Sequence, residues 1–288
     1  MGRVLGLFIA LTVFSTMLNL GLGLRSEALR SWWSQPQLPL RLIVGSCVLV
    51  PLTALLLLQI PWSHGSSAAV RHGLALMAIC PSAPLALRRT RAAGGDHQLA
   101  AVVQVGAALV AIVTVPLLGL ILQHSLMAPG AGLRPIDVAV QVGRVQVLPL
   151  LLGLAVRHHQ PSWADRADAP LSRLSSALLL VMVVLVLLRA GPLLLGFLPH
   201  NLPGVVLMVI MTVCAFTIGR LLAGQDRRHQ LSGGLLTAMR NPGLALLFAN
   251  HHGGELPGLR LAILLYMLVT LLVSIPFIRQ LRGAAPLP

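Results

Sequence analysis

The chain reads as long apolar runs separated by short polar stretches. A helix needs roughly 20 apolar residues to cross a hydrocarbon layer of about 30 Å. Nine runs approach that length: residues 4–24, 40–60, 68–87, 98–122, 136–156, 171–188, 203–223, 231–249 and 259–278. Apolar residues occupy every side of each run, as suits helices surrounded by lipid and by one another, so periodicity assigns no buried face. The ten-residue alternating segments of membrane strands do not occur in the sequence. The pattern predicts an all-α membrane protein with nine transmembrane helices. The first run follows a single Arg3, has no small-x-small cleavage site before Arg25 and is too long for a signal-peptide core, so it counts as a span.

Two runs are interrupted. In 68–87 the chain reads Cys80-Pro81-Ser82-Ala83-Pro84. Its two prolines remove two backbone donors and clash with the preceding turn, which predicts a break there. In 231–249, Thr237-Ala238-Met239-Arg240-Asn241-Pro242-Gly243 places a charge and an amide beside a proline and a glycine. A charge at that depth needs a cavity or a partner. The interrupted runs are the third and the eighth, so they enter the membrane from opposite sides. Paired broken helices in oppositely oriented halves are the pattern of an inverted-repeat transporter with a site near the midplane. Half-helix amino termini there offer partial positive charge to an anion.

Composition narrows the class. Apolar residues make up 56% and charged residues 10%, against about 25% charged in soluble domains. A water-soluble enzyme, a nucleic-acid binder and a disordered tail are thereby excluded. The formal charge of +14 comes from 21 arginines, with no lysine, against seven acids. Sorted by alternating sides, 14 arginines fall on one side: Arg25, Arg30, Arg41, Arg88, Arg89, Arg91, Arg157, Arg166, Arg173, Arg220, Arg227, Arg228, Arg279 and Arg282. Five fall on the other (Arg3, Arg71, Arg134, Arg189, Arg260), and Arg144 and Arg240 lie within spans. The positive-inside rule then sets the amino terminus outside and the carboxyl terminus in the cytoplasm, with a bacterial inner membrane as the expected location. The lipid bilayer is the expected partner, and nucleic acid is not.

All seven acids, Glu27, Asp96, Asp137, Asp165, Asp168, Asp226 and Glu255, lie outside the runs or at their ends. No buried carboxylate is placed to carry a proton or to act as a catalytic acid, so no enzyme activity and no catalytic residue is expected. Cys47, Cys80 and Cys214 sit in apolar runs without CxxC spacing and read as small buried hydrophobes. Neither a metal nor a cofactor is expected. His97 and His124, near the ends of the fourth run, are the candidate titrating groups, with interfacial placement as the plainer reading.

Four stretches resemble the bile acid:sodium symporter family in order and spacing: Met17 through Leu24, Val50-Pro51-Leu52, Cys80 through Asp96, and Thr237 through Ala245. The resemblance implies a single transporter domain over 1–288, moving by alternating access. A core of 40–122 and 203–279 would hold the two crossing broken helices, against a panel of 1–24 and 136–190. Against the family's ten spans the first would be missing, which gives the orientation that the arginines give. The implied function is secondary transport of a small organic anion. The implied substrate-binding residues are Arg240, Asn241, Thr237, Pro242, Ser82 and Pro84, with Arg144 from the panel side. The family's sodium-ligand positions read Ser46, Ala86, Leu87, Ala100, Gln104 and Leu236, and the crossover Gln reads Arg240. Hard cations need several oxygen ligands, so transport without sodium is expected. Two readings of Arg240 stand open, an anchor for a substrate anion or a donor to exposed backbone carbonyls. The alternative function is a transport-inactive sensory or binding domain of the same fold. The number of copies is left open.

Overall fold

The computed structural model describes residues 2–24, 36–82, 84–126, 135–252, 256 and 258–283. Arg25, Glu27, Arg30, Arg134 and Glu255 lie outside these, and the side chains of Arg3, Pro84, His124 and Arg189 are also outside the description. Two short 3-10 helices, Pro61–Gly65 and Pro199–Asn201, and eleven longer helices make up the described regular structure. In order they are α1 (Gly2–Gly23), α2 (Gln37–Gln59), α3 (Ala68–Ile79), α4 (Pro84–Ala93), α5 (His97–Leu126) and α6 (Pro135–His159). They continue with α7 (Pro161–Phe197), α8 (Leu202–Leu222), α9 (Arg227–Ala238), α10 (Pro242–His252) and α11 (Leu259–Gly283). Six of them, α1, α2, α5, α6, α8 and α11, are long and apolar enough to cross a membrane. The predicted run 171–188 falls inside α7, which begins earlier, at Pro161. The runs 68–87 and 231–249 are divided into the pairs α3/α4 and α9/α10.

Proline alone does not make these breaks. Pro116, Pro170, Pro192 and Pro276 lie inside continuous helices. At the second break, Asn241 caps α10 by accepting the Leu244 N–H on Oδ1 (3.2 Å), and Pro242 fills the first helical position. A cap followed by proline starts a new helix, because the proline's missing N–H is one that a first turn leaves unpaired anyway.

Pro51 and Pro149 act differently, each following a π-turn, Gly45–Leu49 in α2 and Gly143–Val147 in α6. At the first, the Val50 N–H bonds five residues back to the Gly45 carbonyl, and Pro51 has no N–H. The Ser46 carbonyl therefore loses both the donors that a helix would bring it. The α6 turn repeats the arrangement, with Leu148 N–H on Gly143 O and the Arg144 carbonyl left over.

Packing gathers the helices around the two breaks. Residues 72–82 and 231–249 are buried throughout. Helix α1 packs on α6 and α7, while α8 packs on α9, and α11 packs on α3, α8 and α9. Two crossings depend on glycine. A Cβ on Gly21 would lie 2.3 Å from the Leu150 carbonyl of α6, and one on Gly219 of α8 would lie 2.2 Å from the Gly233 carbonyl of α9. At these points backbone meets backbone, as small residues allow in membrane helices.

Candidate functional site at the crossing of the two breaks

The two breaks touch. The Asn241 N–H reaches the Cys80 carbonyl at 3.4 Å, and Arg240, 2% exposed, lies between them. Its five N–H groups all have acceptors. Nε donates to Met77 O (3.3 Å), Nη1 to Ser46 Oγ (2.9 Å) and Thr237 O (3.3 Å), and Nη2 to Ser46 O (3.0 Å) and Ala78 O (2.5 Å).

Each carbonyl in this set has lost its helical donor. Met77 O would be served by residue 81, which is proline. Ala78 O lies in the last turn of α3. Thr237 O would be served by the N–H of Asn241, which is spent on Cys80. Ser46 O is freed by the π-turn and Pro51. Unpaired carbonyls at membrane depth cost several kcal/mol each. A planar guanidinium with five fixed donors suits such a cluster better than an ammonium does. The charge is also balanced without an acid. Helices α3 and α9 both end at Arg240, and each helix carboxyl end carries roughly half a negative charge.

The other predicted residues divide into committed and uncommitted groups. Thr237 Oγ1 donates to the Ala215 carbonyl of α8 (2.6 Å), so this hydroxyl ties α9 to α8. Pro242 and Pro84 are the first residues of α10 and α4. Ser82 Oγ and Asn241 Nδ2 are buried, lie just before those two amino termini and have no partner. Arg144 is exposed, in the π-turn of α6. Among the family's cation positions, Ala86, Ala100 and Leu236 are buried and Leu87 is half-buried. Gln104 is buried with neither amide atom partnered. The space beside Arg240, between Met77, Leu85, Met239, Pro242, Met267, Thr270 and Leu271, is about 20 Å³, the size of one water molecule.

A family model, the sodium bile acid symporter family, matches residues 10–197. The chain belongs to this family. It is accordingly a multi-pass membrane protein of a transporter family, consistent with the absence of an enzyme site from the sequence reading. The match includes the first break and ends before α8, so the second break is joined to it by the contacts above. No curated protein matches the chain.

Three features escaped the sequence reading. The first is the twin π-turns, for which the repeated spacing Gly45 to Pro51 and Gly143 to Pro149 was the available signal. The second is the role of Ser46, 194 residues from Arg240 in sequence. The third is the joint at the outer ends of the broken pairs, where Asp96 caps α5 (Leu99 N, 2.9 Å) and lies 3.3 Å from His229 Nε2, and where Ser232 Oγ donates to Asp96 O (3.1 Å).

Proposed function

We propose that the protein carries a small organic anion across the bacterial inner membrane by alternating access, without sodium. The observation that carries this reading is Arg240. A fixed cation with all five donors committed occupies the meeting point of two helix carboxyl ends, where a mobile cation would otherwise balance their charge. The neighbouring Ala86, Leu87, Ala100 and Leu236 offer no side-chain oxygen, and Gln104 offers one. Across each break, the amino termini of α4 and α10 present Ser82 Oγ and Asn241 Nδ2 without partners. Two positive helix ends with free donors suit a carboxylate, sulfonate or phosphate.

In this reading nine spans cross the membrane, amino terminus outside, with α3/α4 and α9/α10 as the crossing broken helices of an inverted repeat. The core, 40–122 and 203–279, moves against the panel, 1–24 and 136–190. The packing of α1 with α6 and α7, and of α8 with α9 and α11, supports that division. The second reading is a binding or sensory domain that does not translocate, and the roughly 20 Å³ of space beside Arg240 favours it. Uptake of labelled organic anions into vesicles containing the purified protein separates the two. Accumulation that is equal in sodium and choline buffers and abolished by Arg240→Ala supports the carrier. Binding without uptake supports the second reading, and a sodium requirement contradicts the first.

A further inference from the structure

Where α1, α6 and α7 pack together, their arginine-rich ends leave a groove of about 440 Å³ that shares no lining residue with the crossing. Its size is that of small-molecule sites, roughly 300–1,000 Å³. Only apolar residues line it, among them Leu18 and Leu22 of α1, Val156 of α6, and Trp163, Ala167 and Leu174 of α7. Those of α7 recur every three or four residues, so they form one stripe along the helix. Trp163 and Leu174 are 52% and 53% exposed, so the groove opens outward.

The groove begins at one membrane boundary. Leu22 lies one residue from the end of α1, Val156 in the last turn of α6, and Trp163 in the first turn of α7. Tryptophan at such a boundary sits at the level of the lipid headgroups. From there to Leu174 the stripe runs about 16 Å along the helix, into the apolar run. Arg157 of α6 fixes the walls, its Nε donating to the Leu22 carbonyl of α1 (2.5 Å) and its Nη1 to Asp165 Oδ1 of α7 (2.5 Å).

One edge of the stripe is basic. Arg166 and Arg173 are exposed and seven residues apart, hence on the same edge of α7. Side chains lean toward the amino terminus of their helix, so Arg173 leans back toward Arg166 and the boundary. The nearby acids are turned elsewhere. Asp165 pairs with Arg157, and Asp168 Oδ1 would lie 3.3 Å from a Cβ on Gly23 of α1. In a bilayer, an acyl chain that enters the groove replaces another, so the apolar lining selects nothing by itself. Selection falls to the charge on its edge.

We propose that the groove holds an acyl chain of one anionic phospholipid, whose headgroup lies against Arg166 and Arg173. This lipid site is independent of whether an anion is carried. The test uses the full chain purified in detergent and offered phosphatidylglycerol or phosphatidylcholine with the same chains, retained lipid being counted by native mass spectrometry. Each arginine near an anionic surface is worth about a fivefold gain, so wild type is expected to retain one phosphatidylglycerol with a preference of about 25-fold. Arg166→Gln and Arg173→Gln should each lower that preference to about fivefold, whereas Arg41→Gln, on α2 outside the groove, should leave it intact. Ala167→Trp, which fills the groove, should abolish retention. The glutamine variants sit at exposed positions, so they decide the matter even if the tryptophan variant fails to fold. Equal retention of the two lipids, or a preference that both glutamine variants leave intact, refutes the site, and any lipid there is adventitious. A dimer that excludes lipid and is separated by Ala167→Trp refutes it equally, because a second copy would then cover the groove.

Discussion

Arg240 carries a full charge among neutral acceptors, and its stability follows from counting donors. Five N–H groups meet four carbonyls and one hydroxyl, and each of those carbonyls was orphaned by a proline, a helix end or a π-turn. Arg240→Met is expected to leave all of them unpaired at several kcal/mol each, and hence to lower the thermal unfolding temperature in detergent markedly. Arg240→Lys restores the charge but at most three donors, so its stability should fall between the two. A lysine variant as stable as wild type would show that charge alone, and not the fork of donors, holds the crossing. From the sequence this residue was legible as an anomaly, an arginine inside an apolar run. Its partners were not, because four of the five acceptors are backbone carbonyls, and Ser46, which supplies one carbonyl and the hydroxyl, lies 194 positions away.

At the scale of single helices, the sequence placed both breaks but could not separate breaking prolines from tolerated ones. Pro242 follows a capping Asn241 and starts a helix, whereas Pro116 directly follows Val115, with the Thr114 hydroxyl donated back to the Val110 carbonyl, and leaves α5 continuous. The start of α9 offers a check on capping. Asp226 Oδ1 accepts the His229 N–H (2.9 Å), and this bond holds the carboxyl below its ordinary value of 3.8. A depressed carboxyl stabilises the fold above its unfolded pKa, and the contribution is lost as pH falls through the folded one. Asp226→Asn keeps a cap that does not titrate. The stability difference between wild type and this variant should therefore shift against wild type as pH falls below about 4, read by thermal unfolding across pH. Helix crossings give a second check. At Gly219 a Cβ would meet the Gly233 carbonyl at 2.2 Å and Thr237 Oγ1 at 2.2 Å. Gly219→Val is expected to force α8 from α9 at a cost of at least the 1–3 kcal/mol typical of overpacking, whereas Gly119→Val, with nothing within 4 Å, should be far milder.

For the whole molecule, the arginine count gave an orientation, and the structure adds what two of those arginines hold. Neighbours on α4, they point to different partners: Arg88 Nη2 donates to the Ser172 carbonyl of α7 (3.0 Å), and Arg89 Nη2 to the Leu271 carbonyl of α11 (3.0 Å). In the core-and-panel reading the first bond crosses between moving parts and the second lies within one. Arg88→Ala should therefore raise thiol labelling of a cysteine placed at the buried Ser82, and Arg89→Ala should not, although both remove one charge from the same turn. Equal labelling in the two variants would mean that α4 and α7 do not part at this bond. The cation at the crossing is Arg240, built into the chain. Anion uptake by vesicles containing the protein, with sodium replaced by choline, tests that role most directly. The same rate in both buffers is predicted, and uptake that appears only with sodium would contradict it.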